Sequence, residues 1–124
     1  MHIAAQAYGR TSKTGLPTRE LEATLLSQSA ARLAAARDRR ADDFALVVEA
    51  LEENRKLWSL LVRASSAPES ELPDALKQNV AKLGAFIFQK TIDLIENAEP
   101  EGFTALAEIN RNIAAGLRGI PADA

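Results

Sequence analysis

The stretch "ALEENRKLWSLL", from Ala50 to Leu61, contains the single tryptophan of the chain, Trp58. Apolar residues recur in it at the three- and four-residue spacing that predicts an amphipathic helix. Asn54 and Arg55 fall among these apolar positions. A polar side chain in a core must find a partner, because leaving it unpaired there costs free energy. The stretch therefore predicts a core helix whose polar residues either bond inside the protein or face something outside it.

The N-terminal half of the chain predicts an arm and two helices. Residues 1–17 combine a short apolar turn with a run of breakers and polar residues, so we expect an N-terminal arm there. Thr18 is a suitable N-cap for the first helix. The second helix begins near Asp42 or Asp43 and ends at about Arg63, and its wide apolar arc is typical of a central bundle helix. Its main apolar face consists of Phe44, Val47, Val48, Leu51, Trp58, Leu61 and Val62.

The C-terminal half predicts two more helices after the Ser/Pro-rich, acidic segment "SSAPESELP". Pro73 suits the first turn of the third helix, where its missing N–H is not needed. The fourth helix follows "NAEPEG" and ends near Gly119, which fits a C′ position. Gly84 and Gly116 lie inside helical patterns, where glycine costs about 1 kcal/mol relative to alanine. We expect neighbouring helices to approach closely at both glycines.

The helix pattern predicts an all-α fold, an antiparallel four-helix bundle with a short N-terminal arm. We assign residues 1–124 to one domain, with the arm in residues 1–17 and the bundle in residues 18–120. No alternating strand pattern and no internal repeat is present in the sequence.

Composition excludes several classes of function. The chain has 124 residues, 47% of them hydrophobic and 26% charged, and its formal net charge is −2. This balance predicts a soluble globular protein without a basic field for nucleic acid or anionic membranes. It has no cysteine, no secretory signal pattern and no apolar run near the roughly 20 residues that span a bilayer. We therefore expect a cytoplasmic protein that neither inserts into a membrane nor binds nucleic acid directly.

The sequence contains no pattern that indicates catalysis. Its single histidine, His2, lies near the start, and no glycine-rich phosphate loop or metal-ligand spacing is present. The carboxylates fall on polar helix faces or in loops, which predicts a solvated surface rather than a general acid–base pair. We predict a protein that is not an enzyme and that needs no cofactor and no metal.

Four residues are candidates for binding a partner: Tyr8, Arg55, Trp58 and Phe86. Neighbouring Trp and Arg residues are common in interface hot spots. The alternative is that Trp58 is a core residue and that the aliphatic stem of Arg55 covers the core. Phe86 falls opposite the apolar stripe of the third helix. Tyr8 either pins the arm onto the bundle or belongs to a contact surface.

Asn54 and Asn110 are candidates for a structural polar role, because both lie among apolar helix positions. They either bond each other across two packed helices or both meet a bound chain. Our hypothesis places "NRKLW" at the edge between core and groove, with Asn54 held inside near Asn110. One side of the Trp58 ring would then meet the partner. Arg55 would reach over that ring or toward an acidic group of the partner.

Five segments in order carry a resemblance to a known family: "AYGR", "RELEATLLSQSAARL", "ALEENRKLW", "ELPDALKQNVAKLGAFI" and "INRNIAAGLRG". From Tyr8 to Gly119 the chain resembles the flagellar biosynthesis regulator FlaF family. There are small departures from the family pattern, with Lys77 in place of an arginine and Ala107–Glu108 in place of a more apolar pair. Neither departure would break a helix.

The resemblance implies a role in the production and export of flagellin, together with FlbT, a post-transcriptional regulator of flagellin. We expect the chain to act as a chaperone that holds an amphipathic segment of flagellin in a helical groove. The alternative is a scaffold or antagonist that binds FlbT without contacting flagellin. Direct binding of RNA ranks below both, because an acidic bundle lacks the basic stripe that RNA requires.

Overall fold

The structure is a computed structural model, and it describes residues 18–119. Within that range the chain forms four α-helices and no strand. The helices are α1 (Arg19–Asp38), α2 (Phe44–Ser66), α3 (Asp74–Glu96) and α4 (Pro100–Arg118). Short connections join them, so that helices adjacent in the chain run antiparallel. The predicted all-α helical bundle is confirmed, whereas the predicted arm and Tyr8 lie outside the described residues.

The two N-terminal helices begin where the sequence predicts. The hydroxyl of Thr18 accepts a hydrogen bond of 3.0 Å from the N–H of Leu21, which caps α1. The carboxylate of Asp43 accepts one of 3.0 Å from the N–H of Leu46, which caps α2. The second helix continues beyond the predicted Arg63 to Ser66.

The ends of the two C-terminal helices depart slightly from the prediction. Pro73 is the residue before α3 rather than part of its first turn. Gly119 follows α4 and its N–H donates to the carbonyl of Ala115 at 3.0 Å, but its φ of −78° is right-handed. This position therefore does not require the left-handed conformation that favours glycine.

The four helices do not contribute equally to the packing. The interface of α1 with α4 is the most extensive, α2 lies against both α1 and α3, and the interface of α3 with α4 is the smallest of these. One core runs through all of them, and its largest fully buried apolar side chains are Trp58, Phe103, Leu26, Leu33, Leu51, Leu61, Ile87, Leu106 and Leu117. Phe44, the first residue of the apolar face expected for α2, lies at the surface with 57% of its area exposed.

Two glycines allow α3 to approach its neighbours closely. A Cβ atom added at Gly84 would lie 2.7 Å from Cγ2 of Val62 on α2, and one at Gly102 on α4 would lie 2.5 Å from Cδ2 of Leu94. Both distances are shorter than any side chain tolerates without a shift. The prediction that a neighbouring helix approaches closely at Gly116 is wrong, because a Cβ atom added there would meet nothing within 4 Å.

We expect the substitutions Gly84→Ala and Gly116→Ala to change stability in opposite directions. Gly84→Ala should lower the free energy of unfolding by about 1–3 kcal/mol, because Val62 is β-branched and its χ1 angle adjusts poorly in a helix. Gly116→Ala should raise it by about 0.5–1 kcal/mol, because alanine loses less backbone entropy in open space. Urea unfolding followed by circular dichroism measures both, and a stabilising Gly84→Ala would contradict the packing of α3 on α2.

Candidate functional site

A buried chain of hydrogen bonds joins α1, α2 and α4. The indole N–H of Trp58 donates to Oδ1 of Asn110 at 2.8 Å, and Nδ2 of Asn110 donates to Oδ1 of Asn54 at 2.8 Å. The same nitrogen donates to the carbonyl of Leu26 at 3.3 Å, and the hydroxyl of Ser29 donates to Oδ1 of Asn54 at 2.9 Å. Trp58, Asn54 and Asn110 have none of their surface exposed. We call Ser29, Asn54, Trp58 and Asn110 the polar cluster.

The indole determines how both amides of the polar cluster are oriented. The N–H of Trp58 is a donor only, so Asn110 must turn its oxygen toward it. The nitrogen of Asn110 then points at Asn54, which must present its own oxygen. That oxygen also receives the hydroxyl of Ser29, so Nδ2 of Asn54 has no hydrogen-bond partner among residues 18–119. Within the described part of the chain, the polar cluster therefore contains one buried donor without an acceptor, which lowers the free energy of unfolding by about 1–3 kcal/mol.

The polar cluster decides between the two alternatives for Asn54 and Asn110, because the two amides bond each other across α2 and α4. In this structure the Trp58 ring is fully buried, so neither of its sides faces a groove, and its contact with a partner stays a prediction. The indole N–H of Trp58 is hydrogen-bonded to Asn110. Gly84 of α3 covers the six-membered ring, and a Cβ atom added at Gly84 would lie 3.9 Å from Cε3 of Trp58. In this conformation Trp58 is a core residue.

Arg55 lies on the surface of α2 and bonds a residue of its own helix. Its guanidinium donates to both carboxylate oxygens of Glu52, at 3.2 and 3.1 Å, instead of reaching over Trp58. The hydrogen bond from Arg55 lowers the pKa of Glu52, and the same bond raises the pKa of Arg55. Any stabilisation by this pair is therefore present above the ordinary pKa of glutamate and is lost as pH falls through the lowered one. The side chain of Arg55 is 41% exposed, so a partner can reach it.

The exposed apolar side chains of α3 are Phe86, at 43%, and Ile92, at 53%. They lie six residues apart and thus about 120° apart around the helix, one on each side of its solvent-facing strip. The ammonium of Lys90 lies 5.6 Å from the centre of the Phe86 ring, a cation–π distance. The sequence pattern places Phe86 outside the core, as found, whereas Ile92 was not among the candidates.

Charged side chains add further links between α1 and its neighbours. The carboxylate of Glu53 on α2 is buried and lies 3.4 Å from the guanidinium of Arg32 on α1. Arg118 on α4 pairs with Glu20 on α1 at 3.3 Å. The expectation that carboxylates lie on solvated faces is wrong for Glu53 and for Glu22, which is also buried. Glu53 lies one helical turn from the buried residues Ala50 and Leu57, on the core side of α2.

The described part of the chain contains no group of three or more His, Cys, Asp or Glu side chains that could hold a metal ion. None of the helices between residues 18 and 119 is long and apolar enough to cross a bilayer.

These features define an all-α bundle protein with a buried polar cluster and two exposed apolar side chains on one helix. A model of the family described as flagellar protein FlaF matches residues 4–117. The chain belongs to this family and is therefore a flagellar protein, which confirms the resemblance found in the sequence. A search of curated proteins gave no match, and a search of solved structures gave none either.

The substitution Asn110→Leu should destabilise the bundle more than Asn54→Leu. Without Asn110 the indole N–H of Trp58 has no acceptor, and a stranded buried donor costs about 1–3 kcal/mol. Without Asn54 the hydroxyl of Ser29 can turn to a carbonyl of its own helix, and Asn110 keeps the carbonyl of Leu26. Asn112 is exposed on α4, so Asn112→Leu is the matched control and should change stability by about 0.5 kcal/mol or less.

Urea unfolding of the three asparagine variants gives this ranking directly. Equal losses for Asn110→Leu and Asn112→Leu would show that the polar cluster does not carry the stability assigned to it.

Proposed function

We propose that this flagellar protein binds flagellin and serves as its export chaperone, and that it regulates flagellin synthesis and secretion through that complex. Membership of the FlaF family supports the flagellar role. The bundle fold supports binding of a helical segment, because amphipathic helices are commonly recognised by apolar surfaces between or along helices. The observation that carries the proposal is the pair of exposed apolar side chains on α3, Phe86 and Ile92.

The chemistry of the α3 surface fits a helical protein segment better than RNA. Phe86 and Ile92 stand among side chains of mixed charge, including Lys82, Lys90 and Asp93. An RNA-binding face needs a run of cations to neutralise phosphates, and the whole chain has a net charge of −2. Flagellin must be kept from polymerising before export, and covering an apolar helical segment achieves this.

A co-expression experiment tests the proposal against the alternative that the chain binds only FlbT. The full chain is co-expressed with flagellin and, separately, with FlbT, and each pair is carried through a purification. Retention of flagellin supports the proposal. Retention of FlbT without flagellin supports the scaffold or antagonist function instead and overturns the chaperone role.

We expect Phe86→Ala to weaken flagellin binding while Phe44→Ala does not. Truncation of an interface residue that matters typically costs more than 1 kcal/mol, which is about a fivefold rise in Kd. Phe44 is the matched control, because it is also an exposed phenylalanine, at 57%, but lies on α2. Titration calorimetry with monomeric flagellin gives both Kd values. Equal effects of the two substitutions would remove Phe86 from the contact surface.

The salt dependence of the complex separates apolar binding from binding to nucleic acid. Apolar contacts with flagellin should lose little affinity between 50 and 200 mM salt, whereas contacts with six to ten phosphates would lose about 10³–10⁵ over that range. The same titration repeated at several salt concentrations measures the slope. A steep slope with RNA, in a chain that does not bind flagellin, would reverse this ranking.

A further inference from the structure

Within residues 18–119, the side-chain polar contacts of α3 are all internal to that helix. Gln89 donates to Asp93 at 3.1 Å, the hydroxyl of Thr91 donates to the carbonyl of Ile87 at 2.7 Å, and Lys90 lies over Phe86. No side-chain hydrogen bond or ion pair joins α3 to another helix within residues 18–119. Among the described residues, apolar packing alone therefore holds α3 against the other helices.

The other three helices are joined by polar contacts as well as by packing. The polar cluster connects α1, α2 and α4 in the core. Toward the surface, Arg32 pairs with Glu53, Arg37 donates to the hydroxyl of Thr104, and Arg118 donates to the hydroxyl of Ser27. Separating any two of these helices would strand buried donors and acceptors, whereas moving α3 strands none.

The two ends of α3 are held to different degrees. Its C-terminal end reaches α4 through the short connection 97–99, and Leu94 packs tightly against Gly102 there. Its N-terminal end has no side-chain hydrogen bond at its cap and buries no residue before Val80. The longer connection before it is linked to α1 only by an exposed hydrogen bond of 3.5 Å, from Arg19 to the carbonyl of Glu71, among the polar contacts described for residues 18–119. Movement of α3 is therefore easiest at its N-terminal half, with the region of Leu94 as the pivot.

We propose that the N-terminal half of α3 opens away from α2, and that the face it uncovers receives a helical segment of the partner. The uncovered face contains Trp58 and Val62, which α3 covers with Gly84. Local opening of this kind is characteristic of elements that lack cross-links to the rest of a fold. The identity of the partner as flagellin rests on the proposed function, but the opening itself does not.

The packing of α3 indicates what kind of segment fits the uncovered face. Only glycine fits at position 84 opposite Val62, because a Cβ atom there would clash with that side chain. The buried residues Val80 and Ile87 lie on either side of Gly84 along the same face of α3. An incoming amphipathic helix must therefore present a large apolar residue, a very small one and a second large apolar residue at positions i, i+4 and i+7. The uncovered face therefore selects partner helices that carry this pattern of large and small residues.

Hydrogen exchange of the unmodified full chain tests the opening without any partner. Amides in the N-terminal half of α3 should exchange at least tenfold faster than the slowest amides of α1, α2 and α4. Equal protection in all four helices would overturn the proposal, because α3 would then open only when the whole bundle unfolds.

An engineered disulfide tests whether opening is needed for binding. The chain has no cysteine, so Val62→Cys with Gly84→Cys introduces a single pair. A Cβ at Gly84 lies 2.7 Å from the Cγ2 position of Val62, close to the distance from Cβ to the far sulfur of a disulfide. The smaller cysteine at position 62 also relieves the clash. Oxidation should slow exchange in α3 to the rate of the other helices, and reduction should restore it.

The oxidised and reduced forms of this variant are then compared for binding of monomeric flagellin. Loss of affinity by tenfold or more on oxidation, with recovery after reduction, supports entry of the partner beneath α3. Equal affinity of the two forms overturns that entry and leaves the outer face around Phe86 as the contact surface. No binding by the unmodified chain would contradict the proposed function, while the exchange measurement would still decide whether α3 opens.

Discussion

The hydrogen bond between the indole of Trp58 and the amide of Asn110 is the contact on which the arrangement of α1, α2 and α4 depends. It is 2.8 Å long and lies in a core region from which solvent is excluded. The indole can only donate, so it sets the orientation of Asn110 and, through it, of Asn54. Each hydrogen bond of the polar cluster joins two different helices. A shift of any one helix by a turn would leave buried groups unpaired, so the polar cluster selects one register of the three helices.

The fourth helix of the bundle, α3, is held in a different way. Its interface with α2 consists of apolar side chains and the close approach at Gly84, and these contacts are not directional. Apolar packing can be exchanged for similar packing against another helix, because no donor or acceptor has to be matched. The bundle thus combines three helices in a specified register with one helix that, within residues 18–119, is held by apolar packing alone. This division is the physical basis of the opening of α3 that we propose.

The sequence predicted the fold more fully than the site. Apolar periodicity and the caps at Thr18 and Asp43 are local signals, so the helices and two of their starting residues could be predicted. The contact of Asn54 with Asn110 was one of two alternatives, and both amides stood out because they interrupt apolar stripes. Ser29 was missed because a serine among alanines and leucines gives no signal of its own until the neighbouring helix is placed.

Other misses have the same origin in the packing of distant segments. Glycine in a helix indicates either close approach or open space, and only the neighbouring helix distinguishes Gly84 from Gly116. The burial of Trp58 depends on α3 lying over it, and the contact comes from Gly84 on the next helix of the chain. Exposure of Ile92 likewise follows from which side of α3 the other helices leave uncovered.

The chain has a single tryptophan, so its indole N–H gives one assignable resonance in a nitrogen–proton correlation spectrum. The exchange rate of that proton with deuterated solvent tests the central role of the hydrogen bond from Trp58 to Asn110 most directly. If that bond organises the three cross-linked helices, the indole proton should exchange as slowly as the most protected backbone amides of α1 and α4. Exchange of the indole proton within minutes, while those amides remain protected, would show that the bond opens independently and would contradict the account.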